Sequence, residues 1–117
     1  MKAWLLLVLL VPGCLAAQQK RVVKFLEDKN LYEATYYHEN GQVSQQGTFN
    51  LEGALHGTWT SYSESGKKIA IGAYQNGKKD GKWFFWEEAV LREVDYNQNA
   101  IAAVQEWKEG TRVAVNR

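Results

Sequence analysis

Cysteine is almost absent from this chain of 117 residues, which contains only Cys14. One thiol cannot form an internal disulfide, and Cys14 lies in an N-terminal segment that we expect to be removed. Disulfide bonds and cysteine-ligated metal sites are therefore excluded from the mature protein. Small exported domains usually depend on disulfides, so we expect this one to be stabilised by β-sheet structure instead.

An excess of positive charge is also missing. The chain has 14 lysine and arginine residues and 13 acidic residues, and removal of the N-terminal segment takes Lys2, which leaves 13 of each sign. Nucleic-acid binding normally requires a basic surface, so we expect no nucleic-acid partner. The lysines that cluster at 67–68 and 78–82 are interleaved with acidic residues beside predicted turns. They indicate solvated turn charge.

Motifs for catalysis or cofactor binding are lacking as well. The sequence has neither a Gly-x-Ser-x-Gly nucleophile elbow nor a His-Glu-x-x-His zinc helix. Residues 72–79 come close to the phosphate-loop pattern, but Lys79 stands where a hydroxyl residue should hold magnesium. A phosphate loop also opens a helix, whereas this segment is predicted to run from strand to strand. We therefore expect no enzyme, no cofactor and no metal site.

Residues 1–17 have the layout of a secretory signal peptide. A positive start is followed by an unbroken apolar run at 3–11, which is too short to span a bilayer. Cleavage near the following alanines would leave a mature chain that starts close to Gln18. Alternatively, residues 10–14 resemble a bacterial lipobox, in which Cys14 would be lipidated. We expect export to the periplasm or the medium, and favour a soluble product over a lipoprotein.

A glycine, any residue and an aromatic residue recur four times along the chain. The copies are Gly47-Thr48-Phe49, Gly57-Thr58-Trp59, Gly72-Ala73-Tyr74 and Gly81-Lys82-Trp83. The first and third copies lie 25 residues apart and the second and fourth lie 24 apart, and such a fixed period indicates a repeat architecture. Residues two apart on a strand point to the same face. Each glycine should therefore clear space where a neighbouring ring can lie over bare backbone.

The repeat unit is two strands with two turns, because β-branched and aromatic stretches alternate with Asn, Gly, Ser and Lys. We predict strands near 33–37, 42–49, 55–62, 67–74, 80–86, 89–96 and 100–107, and leave a last strand near 111–115 open. At 20–29 both a short strand and a helical turn stay open. The predicted fold is all-β, an antiparallel meander of β-hairpin repeats in a single twisted sheet.

We divide the chain into the signal peptide at 1–17, an N-terminal extension and first strand at 18–35, the repeats at 36–96 and C-terminal capping strands at 97–117. The residues expected to build the repeats are Gly41, Gly47, Phe49, Gly57, Trp59, Tyr62, Gly66, Gly72, Tyr74, Gly77, Gly81, Trp83 and Trp86. His38 and His56 fill turn-flanking positions that other polar residues fill in the next copy. We therefore expect both histidines to be exposed turn residues.

The segment at 74–83, Tyr-Gln-Asn-Gly-Lys-Lys-Asp-Gly-Lys-Trp, and the segment at 37–62 resemble MORN-repeat variants. The resemblance is strongest to the YwqK-type family, which is named after antitoxins, and it covers about 36–96. It implies an array of β-hairpins and an interaction role, and it carries over no catalytic residue.

From these features we expect a non-enzymatic, exported scaffold or protein-interaction module at the cell envelope, with an unknown protein partner. The rings expected to contact that partner are Phe49, Trp59, Tyr74, Trp83 and Phe85. One alternative is a glycan- or membrane-binding module with exposed rings, in which sugars stack on Tyr62 and Trp86. Another is a YwqK-type antitoxin-like protein. Membrane anchoring is expected only through a lipid on Cys14, and the oligomeric state stays open.

Overall fold

The structure, a computed structural model, describes residues 20–108 and the backbone of residues 111–115. These residues form one sheet of nine strands, whose order across the sheet is their order along the chain. All neighbouring strands are antiparallel. The strands are β1 (Arg21–Leu26), β2 (Leu31–Tyr37), β3 (Val43–Phe49), β4 (Gly57–Tyr62), β5 (Lys68–Gln75), β6 (Lys78–Glu87), β7 (Val90–Asn97), β8 (Ala100–Lys108) and β9 (Thr111–Val115).

This strand order confirms the prediction of an all-β antiparallel meander in a single sheet. The undecided segment at 20–29 forms β1 and the turn that follows it, and the strand left open at 111–115 is present as β9. The expected signal peptide and Cys14 lie outside the described residues. Within the described ranges, no helix has the length and apolar character needed to cross a membrane.

Tight turns between strands are built by residues with positive φ. In the β5–β6 turn, Asn76 and Gly77 have φ of 50° and 91°, the conformation that a type I′ hairpin turn requires. The β7–β8 turn uses Gln98 and Asn99, with φ of 52° and 74°. Asn99 also accepts the backbone N–H of Lys79 at 2.8 Å through Oδ1. Asn99 therefore supplies the positive φ at a turn where the repeat has lost its glycine.

A row of small and apolar residues crosses the middle of the sheet on one face. The cross-strand pairs that build it are Val23–Ala34, Ala34–Gly47, Trp59–Gly72, Trp83–Val94 and Val94–Val104. The buried hydrophobic residues of the described part all lie in this row, namely Ala34, Trp59, Trp83 and Val94. The hydrophobic core is thus one side chain thick.

The four repeated glycines have two different roles. The indole of Trp59 lies over Gly47 and the indole of Trp83 lies over Gly72, so closely that an added Cβ would overlap the rings. Gly57 and Gly81 instead have φ of 100° and 79°, and no ring lies near the place of a missing Cβ. The expectation that every copy seats a ring is therefore wrong for Gly57 and Gly81, where positive φ explains the glycine.

Neither face of the sheet is covered by another part of the described chain. Every pair of strands in extensive contact consists of immediate sheet neighbours. Neither terminal strand of the described chain folds back over a face, since β1 and β9 extend the same sheet. A partner that binds the described residues accordingly contacts a face or an edge of this sheet.

Candidate binding face

Most large rings project from one side of the sheet, which we call the aromatic face. Its rings are Phe25, Tyr32, Tyr36, Phe49, Trp59, Tyr74, Trp83, Phe85 and Tyr96. Along each strand they alternate with residues that point to the other side, as the two-residue period of a strand requires. All five rings predicted to contact a partner are among them, whereas Tyr62 and Trp86 project from the opposite face.

Two tryptophans organise these rings into two clusters. The ring of Trp59 lies 5.2 Å from Phe49 and 6.4 Å from Tyr36. The ring of Trp83 lies 5.1 Å from Tyr74 and 5.9 Å from Phe85. Edge-to-face and offset pairs at such distances add about 0.5–1.5 kcal/mol each beyond the area that they bury.

The backbone of the preceding strand holds each indole in place. Trp59 Nε1 donates to the carbonyl of Thr48 at 2.8 Å, and Trp83 Nε1 donates to the carbonyl of Ala73 at 3.0 Å. Each acceptor directly follows the glycine under the ring. Since a buried indole N–H needs a partner, the Gly-x pair supplies both the space for the ring and its acceptor.

Two concave regions lie side by side on the aromatic face. The first has a volume of about 190 Å³ and lies between Trp59 and Trp83. The second, of about 490 Å³, lies beyond Trp83 and is lined mainly by Phe85, Tyr96 and Val104. The second region combines an apolar lining with two charged groups, Arg92 and Glu106, a mixture that is typical of binding sites.

Charged side chains border the second region at both ends. The Nζ of Lys79 lies 5.3 Å from the ring centroid of Tyr96, a cation–π distance. At the other end, Arg92 Nε donates to Glu106 Oε2 at 3.0 Å, and its Nη1 lies 3.6 Å from Glu87 Oε1. The hydrogen bond to Glu106 raises the pKa of Arg92 above its ordinary value. That end therefore carries one fixed positive charge between two carboxylates.

Burial raises the pKa of Tyr74 above its ordinary value, and the nearby Tyr96 raises it further. Because the folded state holds the neutral phenol, Tyr74 leaves stability unchanged below the unfolded pKa of about 10 and lowers it as pH rises through that value. We expect the loss of unfolding free energy between pH 8 and pH 11 to be smaller in Tyr74→Phe than in the original protein. Urea unfolding at both pH values measures this difference, and equal losses would contradict it.

The opposite face has a different character. Phe84 and Trp86 stack with ring centroids 6.2 Å apart, and Trp86 is 36% exposed. Next to them, Lys82 Nζ bridges Glu93 at 3.0 Å and Asp95 at 3.1 Å. Hydrogen bonds to those two carboxylates raise the pKa of Lys82. This face thus carries two stacked rings beside a lysine that is paired with two carboxylates.

Both histidines connect neighbouring hairpins. His38 Nε2 lies 2.9 Å from the carbonyl oxygen of Tyr62, and His56 Nδ1 accepts the backbone N–H of Asn76 at 3.1 Å. Asp80, which takes the place of His56 in the next copy, accepts the N–H of Gln98 at 3.3 Å. The histidines are half-buried, so the expectation that they are exposed turn residues is wrong. No group of three potential metal ligands occurs within the described ranges.

Several residues of the aromatic face were missed in the sequence. Tyr96 and Arg92 lie two residues on either side of Val94, so alternation alone could have placed them on its face. Val104 and Ile101 carry no comparable signal, because an extra residue in β8, Ala102, changes the alternation between them. Their position follows only from the strand register.

Comparison with protein families identifies two repeats in the chain. Residues 33–51 and residues 55–76 match the family model described as MORN repeat variant. The first match covers most of β2 and all of β3, and the second covers β4 and β5, so each match is one hairpin. These segments confirm the resemblance to MORN repeats, while the YwqK-type assignment stays a prediction. Neither curated proteins nor solved structures give a match.

Proposed function

We propose that this chain, with MORN repeat variants at its centre, is a non-enzymatic module that binds another protein on its aromatic face. MORN repeats are in general modules for interaction with proteins or membranes. The observation that supports a protein partner here is a continuous aromatic surface with two concave regions, uncovered by any described element. Aromatic residues are enriched in the cores of protein interfaces.

The charged groups of the sheet support binding rather than a reaction. Lys82 is paired with two carboxylates on the opposite face, and Arg92 with two on the aromatic face. A catalytic site needs a nucleophile, a base and an orienting group that converge on one point. These ion pairs do not form such a set, and we propose no catalytic residue.

Two neighbouring phenylalanines test which face binds. Phe85 lies on the aromatic face and Phe84 on the opposite face, and both are half-buried on β6. We expect Phe85→Ala to reduce capture of the partner from the host's own envelope fraction about tenfold or more, as truncation of a central aromatic contact does. Phe84→Ala should leave capture within about twofold, because it removes a similar side chain from the other face. Circular dichroism and thermal melts confirm that both variants fold.

The reverse result would contradict the proposal. If Phe84→Ala or Trp86→Ala abolishes capture and Phe85→Ala does not, the opposite face is the binding face. Loss of glycan binding in Trp86→Ala would then support the glycan alternative, which the exposed ring of Trp86, stacked on Phe84, favours. Capture of a toxin by the aromatic face would support the YwqK-type assignment.

We propose that the protein acts outside the cytoplasm, on the basis of the signal-peptide layout of residues 1–17. N-terminal sequencing of the mature protein should give a start near Gln18. Incorporation of radiolabelled palmitate would instead support a lipoprotein anchored through Cys14. A mature chain that retains Met1 would contradict export by this route.

A further inference from the structure

The regular series of tryptophans on the aromatic face ends at β8. Trp59 on β4 and Trp83 on β6 stand in the same central row, and Trp83 is followed across the sheet by Val94 and Val104. Val104 therefore occupies on β8 the position that the tryptophans occupy on β4 and β6. The next tryptophan in the sequence is Trp107. It pairs with Leu91 across the sheet, so its ring lies on the opposite face.

The larger concave region lies where Val104 takes the position of a tryptophan. The region beside Val104 has a volume of about 490 Å³, whereas the region between the two tryptophans has about 190 Å³. We call the larger one the β8 pocket. Its floor is Val94, which is 4% exposed, and its rim carries Ile101, which is 46% exposed.

Two rings that line the β8 pocket also contact the indole of Trp83. Phe85 and Tyr96 line the pocket, and both pack on Trp83, with ring centroids at 5.9 Å and 6.1 Å. Each of these rings thus contacts Trp83 and also borders the empty space above Val94. The packing of Trp83 thus shows that these two rings can contact an indole.

The charge around the β8 pocket is uneven. Glu106 lies on β8 two residues after Val104, on the same face, and shares Arg92 with Glu87. The sum of these three groups is one negative charge at that end. A cation beside a bound ring would be attracted there, whereas an anion would meet the two carboxylates. Lys79 lies at the Tyr96 end, toward Trp83.

We propose that the β8 pocket binds an aromatic side chain of the partner protein, with a positively charged group beside that ring near Glu106. This inference rests on the proposed function, since it names the chemistry of the partner segment at one end of the aromatic face. A ring in the pocket replaces the tryptophan that the repeat places at this position.

The first experiment uses small probes and needs no partner. Tryptamine, neutral N-acetyltryptophanamide and indole-3-acetate carry the same ring with a positive, zero and negative charge. In titrations followed by two-dimensional ¹⁵N NMR, we expect shifts centred on the amides of Val94, Tyr96 and Val104. Tryptamine should bind about fivefold or more tighter than indole-3-acetate at low salt, the effect of one partly exposed charge contact.

Variants of the pocket distinguish loss of tryptamine binding because the pocket is filled from loss of binding because the protein unfolds. The double variant Val94→Gly/Val104→Trp recreates the glycine–tryptophan pair of the earlier hairpins, and it should fold and lose tryptamine binding about tenfold or more. Phe84→Ala, on the opposite face, leaves the pocket unchanged and should bind tryptamine within about twofold of the original protein. Glu106→Gln should remove the preference for tryptamine over N-acetyltryptophanamide.

The outcomes distinguish this inference from the proposed function. Absence of saturable shifts with all three probes, or equal tryptamine binding in the folded double variant, would overturn the pocket assignment. A preference for indole-3-acetate would overturn the charge assignment. If the double variant still captures the partner while Phe85→Ala does not, the aromatic face binds and the pocket assignment is wrong. If Phe85→Ala and the double variant both lose capture, both proposals are supported.

Discussion

Replacement of Gly72 by alanine is expected to lower the free energy of unfolding by about 3 kcal/mol, near the upper end of the effect of overpacking. An added Cβ would stand inside the indole of Trp83, against its Cγ, Cδ2 and Cε2 atoms. These are the inner atoms of the ring, so no rotation of a flexible tip can make room. The ring must move away from the sheet, and its hydrogen bond to the carbonyl of Ala73 is lost with it.

Gly81→Ala is the matched control for this prediction. Gly81 belongs to the same motif, but nothing lies within 4 Å of its missing Cβ, and its φ is 79°. Alanine there should cost about 1–2 kcal/mol, the strain of a left-handed backbone for an L residue. Urea denaturation of both variants gives the two values. A larger loss in Gly81→Ala than in Gly72→Ala would contradict the two roles assigned to these glycines.

Truncation of Trp83 is expected to have a still larger effect on stability. Trp83→Ala should lower the free energy of unfolding by about 3–5 kcal/mol, the usual range for removal of a buried aromatic side chain. The ring is 5% exposed and packs against Tyr74, Phe85 and Tyr96. Since the core is one side chain thick, no second layer can close the gap. Much of the total stability of an ordinary domain, about 5–15 kcal/mol, would be lost.

Trp86 on the same strand provides the comparison. It is 36% exposed and its ring stacks only on Phe84 among the described rings. Trp86→Ala should therefore cost about 1 kcal/mol, the median effect of a point mutation. Thermal melts and urea titrations of both variants test the difference. Comparable losses would mean that the opposite face contributes as much to stability as the aromatic face, contrary to the burial of the two rings.

Most of the fold could be predicted from turn residues and alternation. Asn-Gly at 76–77 and the β-branched stretches on either side specify a hairpin without any long-range information. β1 was harder to assign, because its edge position leaves Val22, Val23 and Phe25 exposed on both faces. A strand without a buried face has no period by which it can be distinguished from a helical turn.

The roles within the repeat were predictable only in part. Gly72 and Gly81 have the same sequence signature, and the difference between them lies in φ and in the neighbouring strand. The β8 pocket depends on Ala102, the extra residue that changes the alternation of β8 and places Val104 on the aromatic face. Bulges of this kind are set by pairing with the adjacent strand. A single sequence does not specify that pairing.

The identity of strand order and chain order has a consequence for how this protein folds and unfolds. Contacts between residues far apart in the chain are confined to successive hairpins, so contact order is low and folding should be rapid for an all-β domain. The free energy of unfolding is then approximately a sum of the contributions of single repeats and of the contacts between neighbouring repeats. Unfolding can begin by peeling β1 or β9 from the sheet while the strands around Trp59 and Trp83 persist.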